Sequence, residues 1–174
     1  MLRFSLSLLL VLTLFSGCGY TTGSLLPAKY RRISVEPFLN KVNNIDENNN
    51  ILYIPNLETN VRTAIIDRFL FDGNLRIADS DKADLVLTGA LLGIAQDTLR
   101  QDVNQNVQEY RVRVIVSLTM TDRTTGKVLW TEPSFDGETN YYLSGPQAIS
   151  QSTAVANALT DLATRVVERT VEDW

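Results

Sequence analysis

Residues 110–122, Tyr110-Arg111-Val112-Arg113-Val114-Ile115-Val116-Ser117-Leu118-Thr119-Met120-Thr121-Asp122, decide the architecture. Tyr110, Val112, Val114, Val116, Leu118 and Met120 share one parity, and Arg111, Arg113, Ile115, Ser117, Thr119 and Thr121 share the other. Successive side chains of a strand point to opposite faces, so this spacing predicts a long strand with one buried and one mostly polar face. Downstream, Asp122-Arg123-Thr124-Thr125-Gly126-Lys127 reads as a tight reversal, with Gly126 at the left-handed position of a bulged turn. The return strand starts at Val128-Leu129-Trp130 and heads for Tyr141-Tyr142, with a break expected at Pro133. Upstream, Leu85 to Leu92 is apolar on both parities and Gly89 and Gly93 lie in or next to it, which predicts a strand covered on part of both sides. The polar residues from Gln96 to Glu109 then read as the projecting tip of a long hairpin.

Working outward, Arg31-Arg32-Ile33-Ser34-Val35-Glu36 alternates as a half-buried strand stopped by Pro37, and the asparagine-rich run Asn40 to Asn50 reads as an exposed loop. From Asn56 the period turns helical. Leu57, Val61, Ala64, Ile65 and Phe69 share a side, Asn56 is the candidate N-cap, and Gly73 is a natural left-handed stop. A second helix is expected from Pro146 to Val171, with Ser144 as N-cap, Gln147 completing a capping box, and a stripe of Val155, Leu159, Leu162 and Val166. Each helix has one apolar side to bury. The expected class is therefore α+β, a two-layer sandwich with both helices on one face of a mainly antiparallel sheet.

The chain begins with secretory signal anatomy: Arg3, an apolar run from Phe4 to Phe15, then Ser16-Gly17-Cys18, which carries the only cysteine. The run is well short of the roughly 20 residues a spanning helix needs. A cysteine directly after small residues resembles the bacterial lipobox, although Phe15 stands where that pattern prefers Leu. The resemblance implies cleavage after Gly17 and a diacylglyceryl and N-acyl lipid on Cys18. Residues 1–17 are thus read as a signal peptide, 18–29 as a lipidated tether and 30–174 as one domain. Gly19, where an Asp would favour retention at the inner membrane, implies the outer membrane.

Composition excludes much chemistry. The 174 residues include no histidine, which removes Ser-His-Asp and Cys-His arrangements and any histidine metal site. The sole thiol is expected to be acylated, which removes thiolate nucleophiles, thiolate metal ligands and disulfides. A net charge of −4 gives no basic footprint for nucleic acid. The acid pairs Asp79/Asp81, Asp97/Asp102 and Glu132/Asp136 sit in turns and polar loops, where Asp serves local backbone hydrogen bonding. The chain reads as a protein that binds without transforming, with no metal and no cofactor beyond the lipid on Cys18.

Several stretches then line up in order: Cys18-Gly19-Tyr20, Ile33-Ser34-Val35-Glu36-Pro37-Phe38, the Leu57 to Phe69 helix, Leu87-Thr88-Gly89, the Tyr110 to Asp122 strand, Gly126 to Trp130, and Ala158-Leu159-Thr160-Asp161-Leu162. In this combination the chain resembles the lipopolysaccharide-assembly lipoprotein family LptE. That resemblance implies two helices on a four-stranded sheet and an outer-membrane lipoprotein facing the periplasm. It implies a plug inside the LptD β-barrel that helps assemble the barrel and deliver lipopolysaccharide to the cell surface. Arg100, Arg111 and Arg113 are the candidates for contacting lipid A phosphates, since guanidinium groups take phosphate as a bidentate fork. Trp130, Tyr141, Tyr142 and Trp174 are candidates for a barrel wall, with burial against the helices expected for Trp130. A second resemblance, through Leu85 to Gly89 and Asp122 to Trp130, is to the CsgG and LpoB lipoproteins, which would imply a secretion-pore component or an activator of peptidoglycan synthases.

Overall fold

The computed structural model describes residues 26–42 and 54–172. The expected signal peptide, Cys18, most of the expected tether and of the asparagine-rich run, and Trp174 lie outside them. The elements are β1 (Arg32–Val35), β2 (Leu39–Asn40), α1 (Leu57–Asp72), β3 (Arg76–Ile77), β4 (Leu85–Gln101), β5 (Val107–Asp122), β6 (Val128–Tyr142) and α2 (Gln151–Val171).

The class is α+β with two helices, but the sheet is not the expected four-stranded, mainly antiparallel one. It has six strands in mixed directions, in the order β3-β1-β4-β5-β6, with β2 also pairing β4. β1 runs parallel to both β3 and β4, and β2 runs parallel to β4. The physical reason is connectivity. α1 lies between β1 and β3, and such a crossover returns the chain parallel to its start. β2 and β3 have two residues each, too few to show any period.

β5 alternates as its sequence demands: Val112, Val114, Val116, Leu118 and Met120 are buried, with half-exposed residues between them. The hairpin to β6 turns at Gly126, whose φ is 70°. β6 is an edge strand and runs through Pro133 unbroken, correcting the expected break. Val116 pairs Phe135 while Leu118 pairs Glu132, so β6 carries one extra residue around Pro133-Ser134, a bulge that accommodates an imino acid on an edge. A bulge also explains the two-faced look of β4. Leu91 pairs Val116 but Gly93 pairs Ile115, so Leu92 is extra and the buried parity switches from Leu85, Leu87 and Leu91 to Ile94.

α1 buries Leu57, Val61, Ile65 and Phe69, an unbroken i, i+4 stripe. Its stop is Gly73, whose φ is 77° and whose N–H bonds the Phe69 carbonyl. Asn56 occupies the N-cap position in a left-handed conformation (φ 58°) with no side-chain cap. Only its carbonyl serves, accepting from Thr59 N at 3.0 Å and Asn60 N at 3.2 Å. α2 begins at Gln151 and not at Pro146. Ser150 is the cap, accepting from Thr153 N at 3.1 Å, while Ser144 to Ile149 form turns around Gly145 at φ 92°. α2 buries Ala154, Ala158, Leu162, Val166 and their neighbours against β5 and β6, each full-sized aliphatic contributing about 1.5–3 kcal/mol relative to exposure. Gly137 of β6 lets α2 come this close: a Cβ there would strike the Ala158 carbonyl and the Leu162 amide. Among the described residues, no helix is long and apolar enough to cross a membrane.

Candidate functional site

Both helices cover one face of the sheet, and the other is left open. Odd-numbered residues of β5 from Glu109 to Thr121 line that open face, because even-numbered ones are committed to the core. Arg111 and Arg113 therefore stand side by side, separated by two residues of rise, about 7 Å. Cross-strand partners share a face, so the pairing of Arg100 with Glu109 brings Arg100 onto the same side. The three arginines proposed from sequence thus gather on one face, at the half of the sheet nearest the β4–β5 turn.

Each guanidinium already has a carboxylate. Arg113 donates to Asp97 Oδ2 from Nε at 3.1 Å and from Nη2 at 2.9 Å. Arg111 donates to Asn140 Oδ1 at 3.1 Å, and its Nη1 lies 3.4 Å from Glu138. Arg100 is 3.7 Å from Glu109 and sits over the Tyr142 ring at 5.9 Å. Three cations and three acids, drawn from β4, β5 and β6, form a ladder of alternating sign. Glu109 is buried beneath this layer and the rest are partly open to solvent. Partners of this kind contribute about 0.2–1 kcal/mol per exposed pair, so they orient the guanidinium groups more than they stabilise the fold. The sequence reading placed Asp97 in a polar loop beside Asp102 and singled out none of Glu109, Glu138 and Asn140. Centring the β4–β5 turn on residues 102–106 would have paired Arg100 with Glu109, while Glu138 and Asn140 follow from the β5–β6 register.

That turn is built by Asp102. Its Oδ1 accepts from Asn104 N at 2.8 Å and Asn106 N at 2.9 Å, its Oδ2 accepts from Asn106 Nδ2 at 3.0 Å, and Gln105 takes a left-handed φ of 67°. The Asn106 side chain first, then the amides, hold the Asp102 carboxyl below its ordinary pKa. The turn presents Val103 almost fully exposed, with exposed Leu99 beside it on β4 and Leu143 just past β6. Apolar groups beside a guanidinium ladder make this end amphiphilic.

The acid pairs weighed for catalysis serve other ends. Glu132 accepts from Arg169 at 3.1 Å, Asp136 lies 3.9 Å from Arg165, Asp97 holds Arg113, and Asp79 faces Lys82 at 3.4 Å. Among the described residues, no group of His, Cys, Asp or Glu is arranged to hold a metal. Of the aromatic candidates, Tyr141 is buried, 5.8 Å from Tyr110, and burial raises its pKa. Trp130 is half-buried against the core with Arg169 over its ring at 5.2 Å.

Solved structures of similar shape include protein XCC0632 from Xanthomonas campestris (12% identity, 86% of this chain and 90% of that one, TM-score 0.58). They also include lipoprotein B from Nitrosomonas europaea (8% identity, 90% of each chain, TM-score 0.53) and protein CT253 from Chlamydia trachomatis (12% identity, 81% of this chain and 98% of that one, TM-score 0.51). At such identities the likeness is one of fold. No curated protein matches the chain. The family model described as LptE, lipopolysaccharide-assembly, matches residues 30–173, nearly the whole described structure. The chain therefore belongs to the LptE lipopolysaccharide-assembly family.

Proposed function

We propose that this protein is a non-enzymatic outer-membrane lipoprotein, cleaved after Gly17 and lipidated on Cys18, that plugs and helps assemble an LptD-type β-barrel and assists lipopolysaccharide transport to the surface. The observation that carries this reading is the family match across residues 30–173. One acyl chain binds membranes only marginally, whereas the two or three of a bacterial lipoprotein anchor stably. In the transport step, Arg100, Arg111 and Arg113 offer their guanidinium groups to lipid A phosphates, exchanging Glu109, Glu138 and Asp97 for a more highly charged partner. Exposed Leu99, Val103 and Leu143 give acyl chains an apolar surface at the same end.

Affinity purification of the tagged chain from detergent-solubilised outer membranes tests the partner. Co-purification of a large β-barrel in fixed ratio is expected. Recovery of a peptidoglycan synthase, or of a ring of this chain alone, would reject the plug.

A further inference from the structure

At the other end of the sheet a second cationic site has no part in that reading. A cleft of about 520 Å³ opens between the start of β1, the end of α1 and β3, lined by Lys29, Arg31, Arg32, Asn74, Arg76 and Asp84. Its charges do not cancel. Arg32 donates to Asp84 at 2.8 Å, and Lys29 reaches Asp122 at 3.2 Å. The side chains of Arg31 and Arg76 have no hydrogen bond or ion pair among the described residues. The register deepens the imbalance, because Arg32 and Arg76 are direct partners in the parallel ladder and so project from the same face. Like charges placed opposite one another are destabilising. Such local conflicts in an otherwise consistent fold mark functional sites.

Two further observations say what the cleft would take. Leu70 and Phe71, in the last turn of α1 ahead of Asp72 and Gly73, are 62% and 81% exposed, so the helix end whose Gly73 and Asn74 line the opening also presents large apolar side chains. The chain also enters the domain here, with Lys29 at its rim. The twelve residues from Cys18 to Lys29, eleven Cα–Cα steps, can span at most about 40 Å. The 17 residues of β4 put this end about 50 Å from the hairpin tip. A free phosphate has no use for apolar flanks, whereas a phospholipid at a bilayer surface presents both an anion and an interface for Leu and Phe.

We propose that the Arg31–Arg76 cleft binds the phosphate of an anionic phospholipid headgroup, with Leu70 and Phe71 resting in the interface of the membrane that holds the anchor. Its position beside the bilayer rests on the lipidation of Cys18; the binding chemistry does not.

The test uses the processed full-length chain in nonionic detergent, titrated with dihexanoyl-phosphatidylglycerol, dihexanoyl-phosphatidylcholine or inorganic phosphate and read by native mass spectrometry. One phosphatidylglycerol per chain is expected, favoured about tenfold or more over the other two, since hydrogen bonds between charged groups are among the strongest. Arg31→Gln/Arg76→Gln should abolish the preference with Tm unchanged or raised, and Arg31→Lys/Arg76→Lys should keep most of it. Retention of the preference by the Gln variant would overturn the proposal. So would equal uptake of inorganic phosphate, the mark of a free-anion site, or a fall in Tm accompanying the loss, the mark of arginines that serve the end of α1. The same spectra weigh the N-terminal residue, so an unacylated Cys18 would refute the anchor while leaving headgroup binding to be judged separately.

Discussion

Asp122 shows how much one buried side chain can organise. Its Oδ2 accepts from Tyr30 Oη at 2.8 Å and Lys29 Nζ at 3.2 Å, while Oδ1 accepts from the Thr124 and Thr125 amides at 2.9 and 3.1 Å. One carboxylate therefore closes the β5–β6 turn and fastens the segment that leads in from the tether. The Tyr30 hydroxyl foremost, with the Thr125 amide and Lys29, outweighs desolvation and holds its pKa far below the ordinary carboxylate value. A depressed folded pKa contributes stability that is complete above the unfolded value near 3.9 and is lost as pH falls toward the folded one. Asp122→Asn should accordingly lower Tm at pH 7, and the gap to wild type should narrow as the solution is acidified below about pH 4. Gly137 makes the steric counterpart. Gly137→Ala should cost about 1–3 kcal/mol or more, because the added methyl meets helix backbone that cannot step aside. Gly93→Ala, with open space at its Cβ, should stay within about 0.5 kcal/mol by urea denaturation.

At the scale of elements, local signals were legible and non-local ones were not. The β5 alternation, the α1 stripe and the left-handed glycines at 73 and 126 depend on near neighbours in sequence, and each forms as its residues require. The parallel pairing of β1 with β3 and β4 depends on where α1 delivers the chain, which no short window contains. Ser34 illustrates the cost: alternation put it outside, yet it is buried, with its hydroxyl donating to Glu36 Oε1 at 2.8 Å. The candidate site divides in the same way. Parity placed Arg111 and Arg113 on one face, but their acid partners come from the register of β4 and β6. The start of α2 was misplaced: Ser144 was expected to cap a helix from Pro146, and the structure caps it with Ser150 ahead of Gln151. Ser150→Ala should cost about 1 kcal/mol, and Ser144→Ala should lie within about 0.5 kcal/mol of wild type, both read by thermal and chemical denaturation.

For the whole molecule, the proposal makes a rigid strand–helix body useful through its two ends, with the guanidinium ladder and apolar turn at one and the tether and cationic cleft at the other. Replacing Arg100, Arg111 and Arg113 together by Gln should lower the unfolding free energy by about 1–3 kcal/mol, at about 0.2–1 kcal/mol per exposed pair, with the largest share from Arg100, whose partner Glu109 is buried. The same variant should bind purified lipopolysaccharide measurably more weakly by surface plasmon resonance, and unchanged binding would free these residues of that role. Depletion of the chain in its own bacterium tests the central claim most directly, with the partner barrel's folding and cell-surface lipopolysaccharide followed together. The account predicts that the barrel accumulates misassembled and that surface lipopolysaccharide falls, both restored by the wild-type chain. A depleted cell with a properly folded barrel and a normal lipopolysaccharide coat would contradict it.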